Sequence, residues 1–371
     1  MTMTADRNLP LEAARRFLLQ GDVLFAEPYG TGHINHTYAV TCDQAGEPVR
    51  YLLQRLNTNV FKTPHGLMKN IQEVTGHIRA KLESRDLPFT RRVLTLLPVR
   101  ETGACFLDDP ELGFWRCYLF IEGARTYDVV EHSGQAFEAA RAFGAFQSLL
   151  ADYRGPALQE TIPDFHHTPR RLEALKAAVA EDPLGRARDC EADILFALER
   201  APLARRLVDL QAQGAIPTRI THNDTKLNNV MLDDATGAGV CVIDLDTVMP
   251  GLSLCDFGDM VRTACNPLAE DDADTQRMVA RGDMFEALAC GYLEGTEGSL
   301  LPVEREHLVV AGELLTYECG IRFLTDFLLG DTYFRTHRAG QNLDRARNQF
   351  ALVRSLELQE NTFMNRVRHL V

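Results

Sequence analysis

The stretch His222-Asn223-Asp224-Thr225-Lys226-Leu227-Asn228-Asn229 decides how this sequence is read, together with Val230-Met231-Leu232, a turn from Asp233 to Gly239, and the apolar run Val240-Cys241-Val242-Ile243 closed by Asp244. It spells loop, strand, turn, strand, acid. Transfer of a phosphoryl group needs an acceptor that orients, and can deprotonate, the attacking hydroxyl, and Asp224 fits that role. Mg2+ is a hard cation that takes oxygen ligands. Asn229 offers an amide oxygen and Asp244 a carboxylate, and a short hairpin can bring the two to one point. His222 is expected to brace the loop rather than to react. Asp246 lies on the same face as Asp244 if the strand continues, which makes it a further metal contact, with a helix or turn cap as the competing role. An Asp-rich surface loop is the bland alternative, because Asx residues favour turns. The joint occurrence of His, Asp, Asn and a strand-end Asp in this order argues against it.

The pattern H-x-D-x-x-x-x-N, a hairpin and a strand-end acid is the shape of a kinase catalytic loop with its metal-binding acid. Upstream, Val23 to Glu27, His36 to Thr41 and Val49 to Gln54 read as three strands of a meander, the first two joined by Tyr29-Gly30-Thr31-Gly32-His33-Ile34-Asn35. Glycines let backbone N–H groups approach phosphates, so Gly30 and Gly32 are candidates for nucleotide binding, with His33 beside them and Asn35 holding the loop shape. A kinase normally carries a Lys on the third strand. Here Gln54-Arg55 stand there, with Glu73 on the following helical stretch as a possible partner. His65 to Ser84 has helical spacing, and Val93 to Leu97 and Phe114 to Phe120 read as two more strands. Beyond Ile121-Glu122-Gly123-Ala124, a connector, helices are expected near 133–152, 168–181, 190–213, 256–264, 272–294, 303–329 and 341–358. The expected fold class is α+β, a two-lobe kinase-like fold: an antiparallel-sheet nucleotide-binding lobe over 1–120, a hinge at 121–124, and a helical lobe over 125–371.

The bulk numbers agree with such a reading. A chain of 371 residues with 45% apolar and 25% charged residues is that of a globular protein with a sizeable core. The net charge of −13 speaks against a nucleic-acid surface. Nine scattered cysteines without a C-x-x-C pair suggest reduced thiols rather than a disulfide framework or a zinc site. With no signal core and no long apolar run, a cytoplasmic protein with no membrane partner is expected. Monomer and homodimer both remain open.

The segments Pro28 to Asn35, Thr221 to Asn229, Ile243-Asp244-Leu245-Asp246-Thr247-Val248-Met249-Pro250-Gly251, Glu318 to Leu324 and Gly330-Asp331-Thr332-Tyr333-Phe334 resemble the aminoglycoside-phosphotransferase and choline-kinase-like superfamily, and within it the N-acetylhexosamine 1-kinases. The resemblance runs from about residue 20 to 350. It implies ATP and Mg2+, a free N-acetylhexosamine as acceptor, Asp224 as base and Asp244 as metal ligand. It also implies that Phe120 and Glu122 lie at the adenine and that Arg322 and Tyr333 contact the sugar. Spacing alone suggests otherwise for Arg322, which stands four residues from Asp326 and could pair with it on one helix face. An amine acceptor would need carboxylates or an aromatic cage, for which Asp326 and Asp331 are the available acids.

Overall fold

The structure, a computed structural model, describes residues 5–30, 32 and 34–370, so that His33 lies outside the described residues. Along the chain run α1 (Ala5–Arg15), β1 (Asp22–Pro28), β2 (His36–Gln44), β3 (Glu47–Arg55), α2 (Pro64–Ser84), β4 (Leu107–Asp109), β5 (Gly113–Leu119) and β6 (Ala124–Arg125). Next come α3 (Ser133–Leu150), α4 (Thr168–Glu181), α5 (Glu191–Glu199), α6 (Ala201–Ala212), β7 (Arg219–Thr221), β8 (Val230–Asp233), β9 (Gly239–Val242) and β10 (Met249–Gly251). The last stretch holds α7 (Ser253–Ala264), α8 (Gly282–Gly295), α9 (Pro302–Glu306), α10 (Leu308–Leu329) and α11 (Gln341–Leu370). Two compact units result. The first takes Met1–Ala124 together with Asp152–Ile162 and Val240–Met249, and the second takes the rest. Neither unit is one continuous segment, whereas the sequence reading drew a single boundary near 121–124.

In the first unit an antiparallel sheet has the order β1-β2-β3-β5-β4. Alternation along the strands sorts its faces. One face puts Val40, Cys42, Tyr51, Leu53, Trp115 and Cys117 into a core with Ala13, Ala14 and Phe17. On the other, the register Thr37↔Gln54 and Gln54↔Arg116 sets three polar side chains in one row across β2, β3 and β5. Val93 to Leu97 does not form the expected strand. It runs beside β5, with Leu97 N donating to Cys117 O and Leu119 N to Thr95 O, but beyond these it makes only an isolated bridge at Leu96. The helix expected from 65 to 84 is α2, burying Leu67, Ile71, Val74, Ile78 and Leu82 on one stripe.

The second unit is mainly helical. The stretch expected as one helix over 190–213 is two, α5 and α6, broken at Arg200 where Pro202 opens the next helix. Proline lacks the N–H that would continue the ladder. The expected 303–329 helix likewise divides into α9 and α10, and the segment from 272 becomes α-helical only at Gly282. Helices α3 and α8 touch backbone to backbone. A Cβ on Gly291 would sit 2.2 Å from Phe137 O, and one on Gly295 2.2 Å from Arg141 O, so glycine is required at both. A second core gathers Leu172, Leu175, Phe196, Tyr317, Ile321, Leu324, Phe350 and Val353. All nine cysteines are free, and no helix among the described residues is long and apolar enough to cross a membrane.

One core acid stands out on α10. Glu313 is 6% exposed and its Oε1 has no hydrogen-bond partner. Burial, with the charges of Glu360 and Glu357 adding to it, pushes its carboxyl up to about 8. Between the ordinary glutamate range and that value the folded chain keeps a proton that the unfolded chain has released, so stability falls as pH rises through this window. Thermal denaturation from pH 5 to 8 should show this decline, amounting to at most about 1.4 kcal/mol per pH unit. Glu313→Gln should flatten it and raise the melting temperature at pH 8. An unchanged slope in the variant would assign the decline to other groups.

Candidate active site

In the second unit, β7 leads into the loop 222–226, a short 3-10 turn over Leu227–Asn229 and then β8. The loop's backbone N–H groups need acceptors of their own once buried. Two carboxylates on α7 supply them. Asp256 accepts from His222 N at 3.0 Å through Oδ2 and from Asn223 N at 2.7 Å through Oδ1, while Gln147 Nε2 also donates to Oδ2 at 2.7 Å. Asp259, one turn on, accepts from Thr225 N at 3.0 Å, and Thr225 Oγ1 donates to the carbonyl of Asp256 at 2.5 Å. Asn223 is held in the left-handed region, with φ 65°. A Cβ on Gly251 would sit 2.2 Å from Thr221 Oγ1, so a side chain there would displace the loop's entry.

His222 is buried, its ring edge-on to Phe143 and Phe146, and its Nδ1 accepts from Asp224 N at 3.3 Å. The Asp224 side chain is 27% exposed. Its Oδ2 receives Asn229 Nδ2 at 3.0 Å and Lys226 Nζ at 3.3 Å. Asn229 Nδ2 donates to the Asp224 carbonyl as well, at 2.7 Å. The amide nitrogen is thus committed, which leaves the amide oxygen as the atom able to meet a cation. The carboxylate of Asp224 raises the pKa of Lys226 and keeps it charged.

Behind this loop a buried relay ties it to α10. His166 Nε2 lies 3.0 Å from the Asn223 carbonyl and Nδ1 lies 2.8 Å from Glu318 Oε1, while Thr168 Oγ1 donates to Glu318 Oε2 at 2.6 Å. Burial works against both charges, but Glu318 outweighs it and raises His166, while His166 and the adjacent donors hold Glu318 low. Arg322 stands one turn further along the same helix. Its guanidinium lies over the rings of Phe165, Tyr333 and Phe334 at 5.5, 5.9 and 5.4 Å. The pairing of Arg322 with Asp326 suggested by their spacing does not form. Asp326 accepts instead from the backbone N–H groups of Thr332, Tyr333 and Phe334 and from Asn342 Nδ2, all between 2.8 and 2.9 Å. Asp331 is bound by Arg186 and Asn342.

In the first unit the polar row of the sheet ends on a buried acid. Arg116 donates from Nε to Gln54 Oε1 at 2.9 Å and pairs through NH1 with Asp246, the two side chains being 1% and 4% exposed. Gln54 Nε2 donates to Thr37 Oγ1 at 3.0 Å. Asn35 Nδ2 donates to Asp246 Oδ2 at 2.7 Å, and Asn35 Oδ1 accepts from Asn57 N at 3.0 Å. Asp244 and Asp246 do not share a face, because β9 ends at Val242, Asp244 turns left-handed with φ 57°, and Leu245–Thr247 is a 3-10 turn. Asp244 is exposed and Asp246 buried. The metal contact expected at Asp246 does not suit its surroundings, since a dication there would have to displace a guanidinium. Asp244 retains the donor chemistry and the accessibility that Mg2+ requires.

The remaining sequence candidates fall as follows. Gly30 has φ 78°, and a Cβ on it or on Gly32 would meet nothing within 4 Å, so both stand in open space. Arg55 faces away from Gln54 and lies along β5, toward Gly113 and Trp115. Glu73 is not its partner, because it accepts from Tyr153 OH at 3.1 Å. Glu122 pairs with Arg50, whose guanidinium lies 4.0 Å from the Phe120 ring. Sequence reasoning missed Arg116, Asp256, Asp259, His166 and Glu318. A signal existed for most of them: a charge inside an apolar strand or helix needs a partner, as Arg116 in Phe114 to Leu119 and the acids of α7 both show.

Residues 26–289 match the phosphotransferase enzyme family. Among solved structures, an aminoglycoside phosphotransferase from Alicyclobacillus acidocaldarius subsp. acidocaldarius superposes with a TM-score of 0.62 at 12% identity, over 97% of this chain and 96% of the other. A choline/ethanolamine kinase family protein from Mesorhizobium loti gives 0.54 at 17% identity, over 99% and 100%. A spectinomycin phosphotransferase in complex with ADP and spectinomycin gives 0.54 at 12%, over 91% and 94%. At such identities the likeness is one of fold, and it agrees with the α+β, kinase-like class expected from the sequence.

The buried pair in the first unit is directly testable. Arg116→Met alone should cost about 3–5 kcal/mol, because it strands the Asp246 carboxylate. Adding Asp246→Leu should recover most of that loss in the urea midpoint. A double variant no more stable than the single one would show that the charge pair is not what the single change broke.

Proposed function

The chain belongs to the phosphotransferase enzyme family, and we propose that within it this protein is an ATP- and Mg2+-dependent kinase that phosphorylates the anomeric 1-hydroxyl of a free N-acetylhexosamine. The observation that carries the acceptor class is the charge around Arg322. Aminoglycosides and choline are cations and call for carboxylates or an aromatic cage. The two acids that could serve, Asp326 and Asp331, are consumed by backbone N–H groups, Asn342 and Arg186. What stands beside them instead is the Arg322 guanidinium among Phe165, Tyr333 and Phe334, a set that would suit the hydroxyls and apolar faces of a sugar.

The residues take the following roles. Lys226 and Asn229 hold Asp224 Oδ2, which leaves Oδ1 for the 1-hydroxyl of the sugar. The hydroxyl oxygen forms its bond to the γ-phosphorus as the bond from that phosphorus to the bridging oxygen breaks. ADP leaves, and the hydroxyl proton passes to Asp224. His222 and the two acids of α7 keep the loop in place, so catalysis is largely positioning. On the nucleotide side, Gly30 and Gly32 offer backbone N–H groups to phosphates, and Phe120 to Glu122 offers backbone groups to adenine. Gln54, in its row with Arg116, stands where a kinase Lys would. Asp244 and Asn229 have the oxygen donors for Mg2+, which when bound neutralises phosphate charge.

Asp224→Asn should lower kcat by about 10²–10⁴-fold while calorimetric ATP affinity changes little. Turnover equal to that of the wild type would remove Asp224 from this role. Asp244→Ala should weaken Mg·ATP binding, and an unchanged titration would count against it as a ligand. The acceptor is tested with both N-acetylhexosamines, glucose, galactose, mannose, choline and one aminoglycoside, with the sugar 1-phosphate detected by phosphorus NMR. Turnover of an amine alone would keep the phosphotransferase and overturn the sugar.

A further inference from the structure

Arg322 has a second arginine beside it. Arg171, on α4, donates from NH2 to the carbonyls of Asp164 and Phe165 at 3.2 and 3.0 Å, and its buried Nε has no hydrogen-bond partner. Phe165, whose carbonyl Arg171 binds, also lies under the Arg322 guanidinium. The two charges are close enough that Arg322, after burial itself, lowers the pKa of Arg171. Among the described residues Arg322 makes neither an ion pair nor a hydrogen bond.

The carboxylates in the neighbourhood are already committed. Glu318 serves His166 and Thr168, Asp164 is paired with Arg170, Asp331 with Arg186, and Asp326 caps the backbone of 332–334. Glu318 is felt by both arginines and binds His166, while Asp164 and Asp259, which act on Arg171 and His166, are held in their own pairs with Arg170 and Arg262. Holding two guanidinium groups together with no carboxylate paired to either is unfavourable, and a bound anion relieves it. The place is also right for an acceptor. Arg322 lies about 6 Å along α10 from Glu318, at 1.5 Å rise per residue, and Glu318 reaches the Asn223 carbonyl, next to Asp224, through His166.

We propose that Arg171 and Arg322 form an anion subsite, and that the preferred acceptor is a sugar carrying a carboxylate, phosphate or sulfate away from its reacting hydroxyl. This rests on the reading of the acceptor as a sugar and deepens it. The guanidinium forks bind the negative substituent, while the rings of Tyr333 and Phe334 are left for the sugar face.

The test compares kcat/KM for N-acetylglucosamine with its 6-phosphate, its 6-sulfate and its C6 carboxylate, which separates the three anion chemistries. At least one anionic sugar should exceed the neutral parent by about tenfold or more, the range expected of a charge-assisted hydrogen bond. Arg171→Gln should remove that preference through KM, and Arg171→Lys, which keeps the charge, should retain most of it. A neutral sugar preferred over all three anions, with Arg171→Gln affecting neutral and anionic sugars alike, would overturn the subsite and leave the sugar kinase standing. Turnover of no sugar in the panel would overturn both.

Discussion

The loop that carries Asp224 is held in place by a buried carboxylate. Asp256 accepts two successive backbone N–H groups, those of His222 and Asn223, and the amide of Gln147, and all of these atoms lie away from solvent. Burial pushes the Asp256 carboxyl above the usual carboxylate range, against the pull of His222 and the donors that surround it. A loop lacks a ladder partner, and without such an acceptor its amides would be stranded. Asp259 repeats the device one turn later for Thr225. The side chain of Asp224 therefore leaves a backbone fixed on both sides, the preorganisation that the proposed positioning role needs.

The first unit uses the same device with a different partner. Asp246 is buried against Arg116, and Asn35 and Gln54 complete the network. A pair of this kind contributes little net stability, because desolvation of both ions offsets their attraction. What it supplies is a unique arrangement. It links the polar row of the sheet to the segment that carries Asp244, where an exposed acid stands two residues from a buried one.

Around Arg322, charge does the sorting. The whole chain is acidic, with a net charge of −13, yet the surroundings of Arg322 collect cations whose acids are committed elsewhere. Net charge describes long-range behaviour such as solubility and encounter. A site depends on which acids remain available once backbone caps and ion pairs have been satisfied. Asp326 illustrates this: it is one turn from Arg322 in sequence, but three amides of the following turn claim it first.

The sequence by itself determined the loop that carries Asp224, the acid that follows its second strand, the meander with α2, and most helices of the second unit. All are local patterns, where spacing, turn residues and periodicity act over a few positions. Where local signals were weak, the elements moved: the 93–97 segment found too few ladder bonds to be a strand, and Pro202 cut one helix into two. Only the tertiary structure decided the partners. That Arg116 meets Asp246, 130 residues away, follows from the register of β3 with β5 and from a left-handed turn at Asp244. That Arg322 stands beside Arg171 and leaves Asp326 to the backbone follows from how α4 and the 331–334 turn pack on α10. A charge announces in the sequence that it needs a partner. Which partner it finds depends on competition among groups far apart in the chain, and that competition is settled only when they are packed together.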